Sequence, residues 1–156
     1  VQDFSTDNIS VIRKAVADRK GTVQFMKGVG TMAHIVPEGN QTPSVKVPCD
    51  RLDAILAENG IEQADIIKID IEGAEPLLQE SFSTLAERVR HYYIEFSNFS
   101  PREHYLSMAK TLYELGYVCR SEYDDNPLEM NGLVNFLVEH LDQRKELAQN
   151  LWFSQE

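Results

Sequence analysis

The sequence predicts an open α/β sheet, parallel in its centre with an antiparallel edge. Three observations carry this. Aliphatic, strand-like runs alternate with helix-periodic segments along most of the 156 residues. Cap and stop residues such as Asn59-Gly60, Ser100-Pro101 and Gly116 separate them. The segment ADIIKIDIEGAE, Ala64 to Glu75, places Lys68 and Asp70 inside an isoleucine run, with Glu72 and Glu75 straight after it. A strand buried on both faces should carry no ions, because an unpaired charge taken out of water costs several kcal/mol.

The elements follow in order. Ile9 to Val16 reads as a strand ending near Asp18, and Thr22 to Met26 as a short strand after the Lys20-Gly21 turn. Gly28 to Pro43, rich in Gly, Thr, Pro and Asn, reads as a loop. Val45 to Val47 is a strand, followed by a helix with Asp50 as N-cap, Leu52, Ile55 and Leu56 on its apolar face, and Asn59-Gly60 as its stop. After the charged strand, Pro76 opens a helix that buries Leu77, Leu78, Phe82 and Leu85. Tyr92 to Phe96 is the next strand. Ser100, Pro101 and Glu103 form a capping-box start for a helix in which Tyr105, Met108, Ala109, Leu112 and Leu115 recur until Gly116. Tyr117 to Tyr123 and Gly132 to Leu141 read as two strands joined by a polar loop, and Asp142 to Trp152 as a docked helix.

Composition narrows the function. With 42% hydrophobic and 26% charged residues the chain suits one core. A net charge of -10 repels polyanions, so neither nucleic acid nor an anionic membrane surface is an expected partner. Cys49 and Cys119 stand far apart with no CxxC or Cys/His cluster, which suggests no structural zinc and a cytoplasmic, reducing setting. No apolar run approaches the roughly 18 residues of a spanning helix.

In open α/β sheets, ligands bind outside the carboxyl ends of the strands. Side chains alternate, so Lys68, Asp70 and Glu72 climb one side toward that edge while Ile67, Ile69 and Ile71 face the other. Gly73 permits a sharp turn or a close approach. Each charge also has a structural reading: Glu75 at a helix N-terminus, Lys68 with Asp70 as an ion pair, Glu72 solvated. Together with Gly73 they break the burial rule in the manner of a functional site.

The runs VPCDRLDAIL, ADIIKIDIEGAEPLLQ and YYIEFS, with the later LGY, resemble the FkbM-type S-adenosylmethionine-dependent methyltransferases, whose hallmark is a segment like Lys68-Ile69-Asp70-Ile71-Glu72-Gly73-Ala74-Glu75 at the fourth strand of the sheet. NISVIRKAVADRKGTVQF resembles that family's third strand, so the likeness covers roughly residues 8 to 138. It implies a Rossmann-like class I methyltransferase sheet and methyl transfer from S-adenosylmethionine to a hydroxyl of a sugar or natural-product acceptor. By position, Ala17 or Asp18 would contact the adenine, and Asp70 would lie beside the methionine moiety and the acceptor. Lys68, Glu72 and Glu75 would join the same polar cluster, with Glu75 and Glu95 on the acceptor side. Of these, Asp70 is the expected base, Glu72 the second choice, and Lys68 the cation favouring the charged form of Asp70.

The family's glycine-rich loop and ribose-binding acid have no counterpart here. Gly28-Val29-Gly30 opens no helix. The expectation is therefore that residues 1–156 are the C-terminal portion of a single methyltransferase domain lacking its first two strands, binding the cofactor poorly alone. Two rivals stand beside this reading. An IKID strand also occurs in cyclic-dinucleotide phosphodiesterases, where Asp70, Glu72 and Glu95 would be magnesium or manganese ligands, although such barrels run to about 250 residues. The other is a non-catalytic α/β interaction module.

Overall fold

The structure, a computed structural model, describes residues 8–26, 34–36, 42–143 and 148–155. It is a mixed α/β fold with two sheets. The first sheet has the order β1 (Ala15–Val16), β4 (Ser44–Asp50), β2 (Gly21–Met26), β3 (Ile35–Val36). The second has the order β5 (Ala64–Ile69), β6 (Val89–Ser97), β9 (Ala148–Ser154), β7 (Val118–Ser121), β8 (Asp124–Leu128). Between them in sequence run the helices α1 (Leu52–Glu58), α2 (Gln79–Leu85, entered through a 3-10 turn at Glu75–Leu78), α3 (Arg102–Glu114) and α4 (Met130–Leu137).

The helices form where apolar residues recur at helical spacing, and they bury those faces. Phe82 and Leu85 of α2, with Tyr105, Met108, Ala109 and Leu112 of α3, close over Tyr92, Ile94 and Phe96 of β6 and over Leu151 and Phe153 of β9. Each such side chain contributes roughly 1.5–3 kcal/mol by leaving water, so this layer holds the second sheet's shape. The first sheet is fastened to α1 by ions: Lys14 and Lys20 both reach Asp50 at the end of β4 and Glu58 at the end of α1.

Several expectations need correction. The sheet is not mostly parallel: β1–β4 and β5–β6 are parallel ladders, and the remaining ladders are antiparallel. The parallel character survives in direction, since β5, β6 and β7 point one way with β9 inserted against them between β6 and β7. Gly132 to Leu141 is helical, because Leu133, Leu137 and Leu141 repeat every four residues and bury one stripe; a π-helical turn, Val138–Gln143, continues it. The tail, in turn, is no helix over Ala148–Ser154. Gln149, Leu151 and Phe153 alternate as buried residues, the period of a strand.

Of the strand expected at Ile9 to Val16, Ala15–Val16 forms; Ile9 and Val11 are exposed and meet no ladder partner among the described residues. Asp124–Leu128, read as loop, pairs with β7 as a hairpin. The N-caps are Arg51 and Pro101 rather than Asp50 and Ser100, and neither α1 nor α3 has a side-chain cap bond. The loop expected at Gly28 to Pro43 contains β3, and its residues 28–33 and 37–41 lie outside the described residues. No helix among the described residues is long and apolar enough to cross a membrane.

Candidate active site at the carboxyl ends of β5 and β6

The charges in β5 are tolerated because only one face of the strand is covered. Ile69 is buried and Ile67 half-buried against the helical layer, while Ile66, Lys68 and Asp70 face outward. Lys68 Nζ lies 2.5 Å from Asp70 Oδ2, with the two side chains 55% and 37% exposed. An ion pair this open to water is worth at most about 1 kcal/mol, so it shapes the site more than it stabilises the fold.

Beyond Asp70 the chain turns through Glu72 at φ 55° and Gly73 at φ 91°. Both angles are left-handed, uncommon for a residue with a side chain. A Cβ placed on Gly73 would stand 2.7 Å from Phe99 Cβ, in the loop after β6. Gly73→Ala is therefore expected to cost about 2–3 kcal/mol through strain and overpacking together, read as a lowered denaturation midpoint with unchanged slope.

Glu75 locks this turn from within. Its carboxyl group is wholly buried; Ile71 N–H donates to Oε1 at 2.8 Å and the Tyr105 hydroxyl donates to Oε2 at 2.9 Å. Ser97 lies 3.1 Å from the Tyr105 hydroxyl, and its oxygen also takes the Phe99 N–H at 3.3 Å. Since the Tyr105 proton is given to Glu75, Ser97 donates to Tyr105. The chain Phe99–Ser97–Tyr105–Glu75–Ile71 ties the loop after β5 to the loop after β6. Burial raises the Glu75 carboxyl above its ordinary 4.5, against the pull of the hydrogen bonds from Ile71, Tyr105 and the local backbone. Tyr105→Phe, which keeps the ring against Phe96, should cost about 1–2 kcal/mol in a thermal melt.

Glu95, near the end of β6, completes the cluster. It is half-buried, and its carboxyl is raised first by burial and then by Asp70, Glu72 and Glu75, with Lys68 opposing. Four carboxylates therefore share one strand edge with one nearby lysine. Beside Glu72 and Gly73 opens a cleft of about 240 Å³ walled by His34, Ile35, Ala74, Leu77 and Phe99, in which the His34 and Phe99 rings stack at 6.2 Å.

The sequence-derived residues divide in two. Lys68, Asp70, Glu72, Glu75 and Glu95 come together, with Glu75 inside the wall of the site and not on its surface. Ala17 and Asp18 stand apart. Ala17 is 1% exposed and its N–H is already given to the Asp50 carbonyl at 2.9 Å. Asp18 pairs with Arg19 and borders a cleft of about 520 Å³ with Leu77, Gln79, Glu80, Ser83, Thr111 and Glu114. Leu77 borders both clefts, so the two adjoin there. Sequence reasoning missed Tyr105, whose helical period marked it as core, and His34, which no motif distinguishes. Among the described residues no group of three or more His, Cys, Asp and Glu side chains is placed to hold a metal ion, and the metal-dependent phosphodiesterase reading is not supported.

Acidic side chains thus gather at the carboxyl ends of the adjacent parallel strands β5 and β6, the edge at which open α/β sheets bind ligands. A family model described as the methyltransferase FkbM domain matches residues 7–119, and the chain belongs to this methyltransferase family. Comparison with curated proteins and with solved structures gave no match.

Proposed function

We propose that the protein is an S-adenosylmethionine-dependent O-methyltransferase acting on a hydroxyl of a small-molecule or saccharide acceptor, in the cytoplasm. The observation that carries the reading is the family match together with the placement of its motif, Lys68 to Glu75, at the carboxyl ends of β5 and β6. The donor set fits the cofactor: S-adenosylmethionine bears a sulfonium and an ammonium, and the edge offers the carboxylates Asp70 and Glu72 beside Lys68. Asp18, across Leu77, would hold its adenine side, and Asp70, before the turn, would hold its methionine side.

When bound, the cofactor supplies an electrophilic methyl group. Asp70 takes the proton of the attacking hydroxyl, and Glu72, held in its left-handed turn, orients that hydroxyl. Lys68 steers Asp70 through their ion pair. Glu75 touches no reactant and positions the turn. Buried free Cys49 and Cys119 suit a reducing compartment. The test is transfer of labelled methyl from S-adenosylmethionine by the native protein to a panel of sugars and hydroxylated natural products. Label on an acceptor oxygen is the expected result; label on nitrogen or carbon, or none across the panel, contradicts the reading.

A further inference from the structure

We propose that Asn150 is a positioning residue of this site, its side-chain carbonyl accepting a hydrogen bond from a protonated Glu95. The β6–β9 register sets Glu95 directly opposite Asn150. Residues so paired share a face, with Cβ atoms about 4.5–5.5 Å apart. The register is pinned along that face by the Tyr93–Trp152 ring contact at 4.4 Å and by His91 Nδ1 against Ser154 Oγ at 3.0 Å.

Asn150 Oδ1 is buried and has no hydrogen-bond partner among the described residues. A stranded acceptor of this kind is costly, so a donor is called for from the side chain opposite. An ionised carboxylate has none to give, whereas a carboxylic acid has one O–H. Were Glu95 ionised, the amide would turn its NH2 group toward it, and the oxygen would not be the atom left buried.

The surroundings favour the acid. Asp70 and Glu72 face Glu95 from the end of β5 and its turn, Glu75 from the 3-10 turn, and Lys68 from β5 as the opposing cation. His91, on the same face of β6, is engaged with Ser154. Burial and the three carboxylates together raise the Glu95 carboxyl above its ordinary 4.5. With its proton given to Asn150, Glu95 offers only its second oxygen to a ligand. In the methyl-transfer reading, on which this consequence alone rests, that oxygen accepts from a second hydroxyl of the acceptor and leaves the proton of the attacking hydroxyl to Asp70.

The test is a carbon-13 NMR titration of the Glu95 carboxyl in the full chain. No turnover is needed, so the result stands apart from the fate of the methyl-transfer reading. The expected midpoint lies above the ordinary value, and Asn150→Ala should lower it, because the amide carbonyl favours the protonated form. A parent midpoint at or below the ordinary value overturns the proposal, as does a midpoint that rises or stays put in Asn150→Ala. If that variant does not fold, Glu95→Gln still supplies a donor to Asn150 Oδ1. Its melting temperature at pH 8 should equal or exceed the parent's, and a fall of several degrees overturns the proposal.

Discussion

Glu75→Ala is expected to lower stability by about 3–5 kcal/mol, because it strands two donors and leaves a cavity at one fully buried point. Ile71 N–H and the Tyr105 hydroxyl would both lose their acceptor, in a place water does not reach. For a chain of this length that is a drop of about 10–15 °C in melting temperature. Glu75→Gln separates hydrogen bonding from charge. The amide oxygen keeps the Ile71 bond, and its NH2 can donate to Tyr105, so most of the loss should be recovered.

The two variants also differ in pH dependence. The folded-state carboxyl of Glu75 is raised above its ordinary 4.5, so its contribution to stability is fully present below that value and is lost as pH rises through the folded midpoint. Glu75→Gln removes this slope. Between pH 4 and pH 8 the parent's melting temperature should therefore fall relative to the variant's as pH rises. Equal slopes in the two proteins would mean that burial does not raise the Glu75 carboxyl.

Asp70→Asn is expected to reduce methyl transfer by roughly 10²–10⁴-fold while leaving the fold intact. The amide preserves shape but cannot take the proton of the attacking hydroxyl. Stability should change by less than about 1 kcal/mol, since Asp70 and Lys68 are both open to solvent. The pair of measurements is what matters: steady-state turnover at saturating acceptor, and a melt on the same preparation. Near-normal turnover would remove Asp70 from the chemistry. A large stability loss would make it structural instead.

The contrast between Asp70 and Glu75 shows how far the sequence could be read. Both are acids in one octapeptide, and the break in the isoleucine run located them together. Their opposite surroundings come from packing: Asp70 stays at the strand edge in water, whereas the turn at Glu72-Gly73 carries Glu75 under α3 to meet Tyr105. Nothing in the local pattern records that meeting, because Tyr105 lies 30 residues further on.

The same limit explains the fold. Helices α1 to α3 and strands β2 and β4 to β7 follow from local periodicity and stop signals. The C-terminal part was misread because Leu133, Leu137 and Leu141 sit in a run dense enough in aliphatics to pass for a strand. The alternation in Gln149, Leu151 and Phe153 is short and follows directly on a polar segment. Which strands neighbour one another is non-local, and β9's place between β6 and β7 decides that Asn150 faces Glu95. That placement was not legible in any single stretch.

The most direct test is a crystal structure of the native protein with S-adenosylhomocysteine, the product left after methyl transfer. The account predicts its sulfur beside Asp70 and Glu72 at the carboxyl ends of β5 and β6, with its adenine toward Asp18. Binding at the opposite end of the strands, among Gln63, Arg88 and Arg90, would contradict it.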